Sequence, residues 1–319
     1  MTKVPKAGFP IKGLWISGFQ RSLTFKNLLF PIKLLVSIVN AYFLLRKFRP
    51  DVVAGFGGYA SGAALWISTK MGLPSLIMEQ NSYAGVTNRL LNGKADTACV
   101  AYEESKRFFD KCKVVVTGNP IRKGLVSGLD KVDCINQLGL DTFKKTILIV
   151  GGSLGARSIN KAIDNNYEFI KTANDIQLLW QCGAGYFDAY IEKDVAGLDH
   201  VHLSAFIEDM AVAYGAADLV ICRAGALTLA ELMHLGKASL LVPSPNVAED
   251  HQTANAMSLV DKNAALLLAD KDVDDLMKVA IELLNDQSKL EELKKNIKLL
   301  SQPKAVSEIA DEIELLIRK

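Results

Sequence analysis

At 319 residues, half of them hydrophobic, the chain exceeds the roughly 250–300 residues at which a single core stops growing, so two compact domains of a soluble globular protein are expected. The net charge of +2 conceals a basic start, because residues 1–50 carry nine Lys/Arg and no Asp or Glu. An anionic surface, lipid headgroup or nucleic acid, is therefore an expected partner. Five cysteines without a C-x-x-C pair and four histidines without a metal-site spacing argue against a disulfide framework and a zinc site, and for reduced core cysteines in a cytosolic protein.

The first fifteen residues hold Pro5, Gly8, Pro10 and three lysines, so no secretory signal is expected. Phe25 to Phe48 reads as a helix with Pro31 in its first turn. Its most apolar run, Leu34 to Leu45, is 12 residues long, short of the roughly 20 that span a bilayer. Strands then follow in DVVAG, PSLIME, ADTACVAY and KVVVTG, with helices to about Met71 and near Leu90 between them. Asn119 to Leu140, with Pro120, Gly124, Gly128 and Gly139, reads as an irregular interdomain connection. The strand–helix beat restarts with strands at Thr146–Val150, Ile176–Gln181, Val201–Ser204, Leu219–Cys222, Ser239–Val242 and Ala265–Leu268. Helices over about Asp272–Asn285 and Lys289–Leu300, and one after Pro303, complete the chain. Such alternation predicts an α/β fold of two doubly wound, Rossmann-like domains, with ligands bound outside the carboxyl ends of the strands in a cleft between them.

Two glycine-rich turns stand between a strand and a helix start, at GGSLGARSIN and CRAGALTLAE. A helix N-terminus offers unpaired N–H groups and the positive end of the macrodipole, so two such ends suit a diphosphate without needing a metal. The dinucleotide fingerprint fails because its first glycine would fall on Val150, and a P-loop fails for want of Gly-Lys-Ser/Thr. Gly152 and Gly155 permit close backbone approach. Ser153 is either a hydroxyl donor to a ligand or the N-cap of a plain turn. Thr228 to Glu231 fits a capping box equally with a ribose-binding carboxylate and a phosphate-binding hydroxyl. Asp250, His251, Gln252 and Asn255 open a further helix at the same sheet edge, and their amides suit sugar hydroxyls. Glu79, Gln80 and Asn81 are expected to face the cleft from the first domain.

GFGGYASG, EQNSYAGVTN, GNPIR, GGSLGARSIN, FIEDM, CRAGALTLAE and DHQTANA occur in the order and spacing of the MurG family, glycosyltransferase family 28, which the chain resembles from about residue 3 to its C-terminus. The resemblance implies a GT-B fold and inverting transfer of GlcNAc from UDP-GlcNAc to lipid I, undecaprenyl-diphosphate-MurNAc-pentapeptide, to give lipid II at the cytoplasmic face of the membrane. No metal, cofactor or nucleic acid is implied. By motif, Ser153 would meet the diphosphate, Arg122 the nucleotide, and Ile207 the uracil through its backbone. Ala226, Leu227, Thr228, Leu229 and Ala230 would form the second helix start, Glu231 would hold the ribose, and Gln252 and Asn81 would lie near the GlcNAc.

The implied domains are an acceptor- and membrane-side domain over 1–118, a UDP-GlcNAc domain over 119–302, and a C-terminal helix over 303–319 that packs back on the first. The family's opening strand, GGTGGH-type loop and helix have no counterpart here, and the first histidine is His200. An incomplete first domain is therefore expected, with no equivalent of the loop histidine favoured as general base. The basic apolar helix, with Lys26, Lys33, Arg46, Lys47 and Arg49, suits an anionic membrane surface. Two other readings stay open: a nucleotide-sugar-binding fragment or membrane scaffold without turnover, and a UDP-GlcNAc epimerase, which the lack of early histidines disfavours.

Overall fold

The computed structural model describes residues 3–16, 29–125 and 127–318. The chain divides into two compact units, Met1–Thr117 with Ser307–Lys319, and Gly118–Val306.

The first unit holds a parallel sheet of β1 (Val53–Gly55), β2 (Ser75–Glu79), β3 (Thr97–Val100) and β4 (Lys113–Val116), in that spatial order. β2 and β3 are buried along their whole length, as expected of short apolar strands covered on both faces. The helix expected from Phe25 runs over Phe30–Phe48, with proline in its first turn; Phe25 to Leu28 lie outside the described residues. Only Ser37 and Ala41 of this helix are buried. Its packed side meets Ala63 and Ile67 of helix Gly58–Lys70. Ile32, Leu35, Val39 and Phe43 form an exposed stripe at three- and four-residue spacing on the other side. Among the described residues, no helix is long and apolar enough to cross a membrane. In the C-terminal helix Ala305–Ile317, Glu312 pairs with Lys113 of β4 at 2.6 Å.

The second unit contains six parallel strands: β5 (Lys145–Val150), β6 (Ile176–Gln181), β7 (Val201–Ser204), β8 (Leu219–Cys222), β9 (Ser239–Leu241) and β10 (Leu266–Leu267). Their spatial order is β10-β9-β8-β5-β6-β7. The chain thus winds outward from β5 through β6 to β7, then returns to the other side of β5 to build β8, β9 and β10. The strand order reverses between β5 and β8, and doubly wound sheets bind ligands at such a point. β5 and β8 are buried almost throughout. The core beneath them includes Trp180, whose indole Nε1 donates to Asn160 Oδ1 at 3.1 Å.

The stretch Asn119 to Leu140 is more ordered than its prolines and glycines suggest, because helix Lys131–Gln137 forms inside it. Asp130 caps that helix, its carboxylate accepting from Asp133 N at 3.0 Å. Cys134 and Ile135 are buried with Val212 and Ala216 of helix Met210–Ala216. All five cysteines are free thiols, four of them buried. Burial above all pushes Cys99 and Cys222 up to about 12, which keeps both protonated.

Candidate functional site

The first glycine turn leaves the buried end of β5 at Val150 and reaches helix Arg157–Asn165 through Gly151–Ala156. Gly152 and Gly155 both have positive φ, 89° and 78°. At Gly155 a Cβ would also strike the Cys182 carbonyl, so both the conformation and the close approach demand glycine. Ala156 occupies the N-cap position and makes no side-chain cap bond. Ser153 is therefore part of the turn and not the cap, and the first N–H groups of the helix carry no side-chain cap. The helix is fixed from below by Asn160, whose Nδ2 donates to Cys182 O at 2.9 Å while its Oδ1 accepts from Trp180.

The second turn leaves β8 at Cys222 and enters helix Ala226–Leu235, with Gly225 as N-cap and no side-chain cap bond. Thr228 is thus the third helical residue, three positions too late to cap this helix, and the capping box does not form. Glu231, 5% exposed, instead accepts from Arg122 Nε at 2.8 Å through Oε1 and from Tyr214 Oη at 3.0 Å through Oε2. Burial, and then the Glu231 charge, hold the Tyr214 phenol well above its ordinary range, so it remains the donor.

These two turns open on one cleft of about 750 Å³, lined by Gly151 to Ser158, Lys161, Arg223, Gly225, Thr228, Ser244, Asn246, Gln252 and Asp270, among others. Of the residues singled out from the sequence, it gathers Gly152, Ser153, Gly155, Thr228 and Gln252. Gln252 Oε1 accepts from Ser244 N at 2.8 Å, leaving its amide nitrogen as a donor. Ala226 and Leu227 begin the second helix, Leu227 with an exposed side chain, whereas Leu229 and Ala230 are buried and the Leu229 N–H donates to Gly225 O at 3.0 Å. Arg122 and Glu231 form a pair that does not line this cleft. Ile207 is buried, and its N–H donates to Gln181 Oε1 at 2.8 Å. Asn255 is buried, with Nδ2 reaching Ala224 O at 3.3 Å.

Asn81 belongs to the first unit. Its N and Nδ2 both reach Glu79 Oε1, at 3.0 and 3.3 Å. Glu79 itself is buried and also accepts from Gly85 N and Asn88 Nδ2, at 3.0 and 2.8 Å. It is the hub of its loop rather than a group held out to a ligand.

The sequence left Gln181 and Arg223 unmarked. Gln181 Nε2 donates to Gly152 O at 3.1 Å, so one buried amide ties the first glycine turn to the Ile207 loop. Its signal is a polar residue at the carboxyl end of a strand whose one other polar residue is Gln177. Arg223 Nη1 pairs with Asp270 at 2.6 Å. Arg157 and Lys161 stand four residues apart on the helix after the first turn, and neither forms an ion pair among the described residues. Arg157, the first residue of this helix, opposes the macrodipole there. An anion in the cleft removes that conflict.

The glycosyltransferase family 28 C-terminal domain matches residues 146–312, and the family's N-terminal domain matches residues 1–100. A relative in Flavobacterium psychrophilum is 48% identical over 319 residues, spanning 99% of this chain and 86% of its own length; it is named UDP-N-acetylglucosamine–N-acetylmuramyl-(pentapeptide) pyrophosphoryl-undecaprenol N-acetylglucosamine transferase. A relative of the same name in Bacteroides thetaiotaomicron is 47% identical, spanning 98% of this chain and 85% of its own. Among solved structures, Acinetobacter baumannii MurG superposes with a TM-score of 0.70 at 32% identity, covering 94% of this chain and 83% of its own. A UDP-N-acetylglucosamine 2-epimerase from Listeria monocytogenes, described as putative, gives 0.64 at 14% identity over 93% and 82% of the two chains, a likeness of fold alone.

Proposed function

Because this chain belongs to glycosyltransferase family 28, among the MurG-type N-acetylglucosaminyltransferases, we propose that it moves GlcNAc from UDP-GlcNAc to lipid I, with inversion at the anomeric carbon, forming lipid II. One observation carries the site: two helix starts without a side-chain cap, with Arg157 and Lys161, which form no ion pair among the described residues, open on the same cleft at the strand-order reversal. As the glycosidic bond to the donor breaks, charge develops on the departing diphosphate. N–H groups of the first turn, other than that of Gly155, which donates to Gly152 O, and those of Ala226–Thr228, with the Ser153 and Thr228 hydroxyls, would receive it. A single helix end contributes only about 0.3–2 kcal/mol, so these donors act together.

Glu231 takes the ribose in this reading. A carboxylate offers about four lone-pair sites, and Arg122 and Tyr214 occupy one on each oxygen, leaving room for two hydroxyl donors. Arg122 thus serves the nucleotide through Glu231. The Ile207 N–H is already engaged, so a uracil N3–H would be met by the Ile207 carbonyl. Gln252, which lines the cleft, remains the candidate for the sugar in this unit.

The exposed Ile32, Leu35, Val39, Phe43 stripe, beside Lys33, Arg46, Lys47 and Arg49, supports a peripheral seat on an anionic membrane at its cytoplasmic face, where the acceptor lipid resides. The test is transfer of labelled GlcNAc from UDP-GlcNAc to a lipid I analogue. Formation of the disaccharide lipid supports the proposal, and donor binding without transfer would leave a binding protein in its place.

A further inference from the structure

We propose that Arg223, Asp270 and Ser158 form a positioning network that sets the separation of the two phosphate turns, acting on the diphosphate of a bound nucleotide and not on its base. The proposal rests on the nucleotide reading of this cleft given above. Arg223 Nη1 shares its two hydrogens among Asp270 Oδ1 at 2.6 Å, Val242 O at 3.0 Å and Pro243 O at 3.1 Å. Its Nη2 donates to Ser158 Oγ at 2.6 Å, and that hydroxyl donates in turn to Asp270 Oδ1 at 2.6 Å. One guanidinium therefore joins the end of β8, the end of β9, the loop after β10 and the first turn of the helix that follows β5.

The pairing with Asp270 cancels the Arg223 charge, so the network supplies geometry, and the positive potential in the cleft falls to Arg157 and Lys161. Arg223 and Asp270 are only 13% and 21% exposed, which weakens screening by water and favours a single arrangement. The planar fork reaches acceptors on two sides at once, which an ammonium on a flexible stem does not do. A shift of one turn against the other would spoil several N–H contacts to a diphosphate together, while the base and ribose positions at Ile207 and Glu231 lie outside the network.

The experiment compares binding of UDP and of uridine to the wild-type chain and to Asp270→Asn, Arg223→Lys and Ser158→Ala. UDP is expected to bind roughly tenfold more weakly to Asp270→Asn and Arg223→Lys, the scale of one charge-assisted hydrogen bond. Uridine binding stays within about twofold, since those contacts do not involve phosphate. Ser158→Ala, which removes a single hydroxyl, shifts UDP in the same direction by less and keeps the test open if a charged-site variant fails to fold. Unchanged UDP affinity, or equal weakening of both ligands in folded variants, overturns the proposal. A wild-type chain that takes up neither ligand overturns the nucleotide reading beneath it, a result distinct from either of those.

Discussion

Glu231 shows why a short motif underdetermines a side chain. The Thr-x-x-Glu spacing is compatible with a cap and with a ligand, and only the helix boundary at Ala226 decides that the cap is not made. Its carboxylate is buried yet held by two donors from Arg122 and Tyr214. Glu231→Ala is expected to weaken UDP-GlcNAc binding by at least about 1 kcal/mol, the low end for orphaning buried polar partners; calorimetry measures it, and unchanged affinity would remove Glu231 from the site. Gly155→Ala should be costlier to folding, because a φ of 78° and the Cys182 carbonyl both exclude a Cβ. A loss of about 2 kcal/mol or more in urea unfolding is expected, and a neutral result would contradict the turn geometry. Ser153 and Gln252 were legible as cleft-lining residues from their turns. Arg223, Ser158 and Asp270 were not, because partners 65 and 47 residues from Arg223 meet it only in the folded sheet.

At the level of elements, largely apolar runs made the six strands of the second unit readable to within a residue or two, most plainly in β5, β8 and β9, which are buried almost throughout. Helix Lys131–Gln137 escaped because flanking glycines and a proline outweighed a seven-residue pattern whose only cue is Asp130 three residues before Asp133. Lys237, just before β9, is a charged group the pattern could not price. Its Nζ donates to Ala217 O at 2.9 Å, and burial, partly offset by Asp218, lowers it to about 8. The unfolded lysine binds its proton more tightly than the folded one, so between about pH 8 and the ordinary lysine value near 10.4 the unfolded state holds more protons and stability rises with pH. Wild type is therefore expected to gain stability relative to Lys237→Met across that window in denaturant titrations. A gain of the opposite sign would refute the buried-lysine assignment.

Across the whole molecule, two sheets with different burdens are visible: a strand order that reverses between β5 and β8 in the second unit, and a four-strand run in the first with an apolar, basic helix beside it. The Phe43 side chain is exposed and its ring meets only that of its neighbour Tyr42 among the ring contacts of the described residues, so Phe43→Ser should leave the melting temperature nearly unchanged. Binding to anionic vesicles should fall roughly tenfold, as expected for losing an aromatic group buried in lipid. Neutral vesicles should bind wild type more weakly, at about 1 kcal/mol for each basic residue engaged. Equal binding of the variant and wild type would place the lipid contact elsewhere.

The most direct measurement is a crystal structure of the chain with UDP-GlcNAc. The diphosphate should sit within hydrogen-bond reach of amides in the turn before Arg157 and at Ala226–Thr228, with the ribose hydroxyls on Glu231. A nucleotide lodged away from the β5 and β8 turns, or none bound at saturating concentration, would contradict the site.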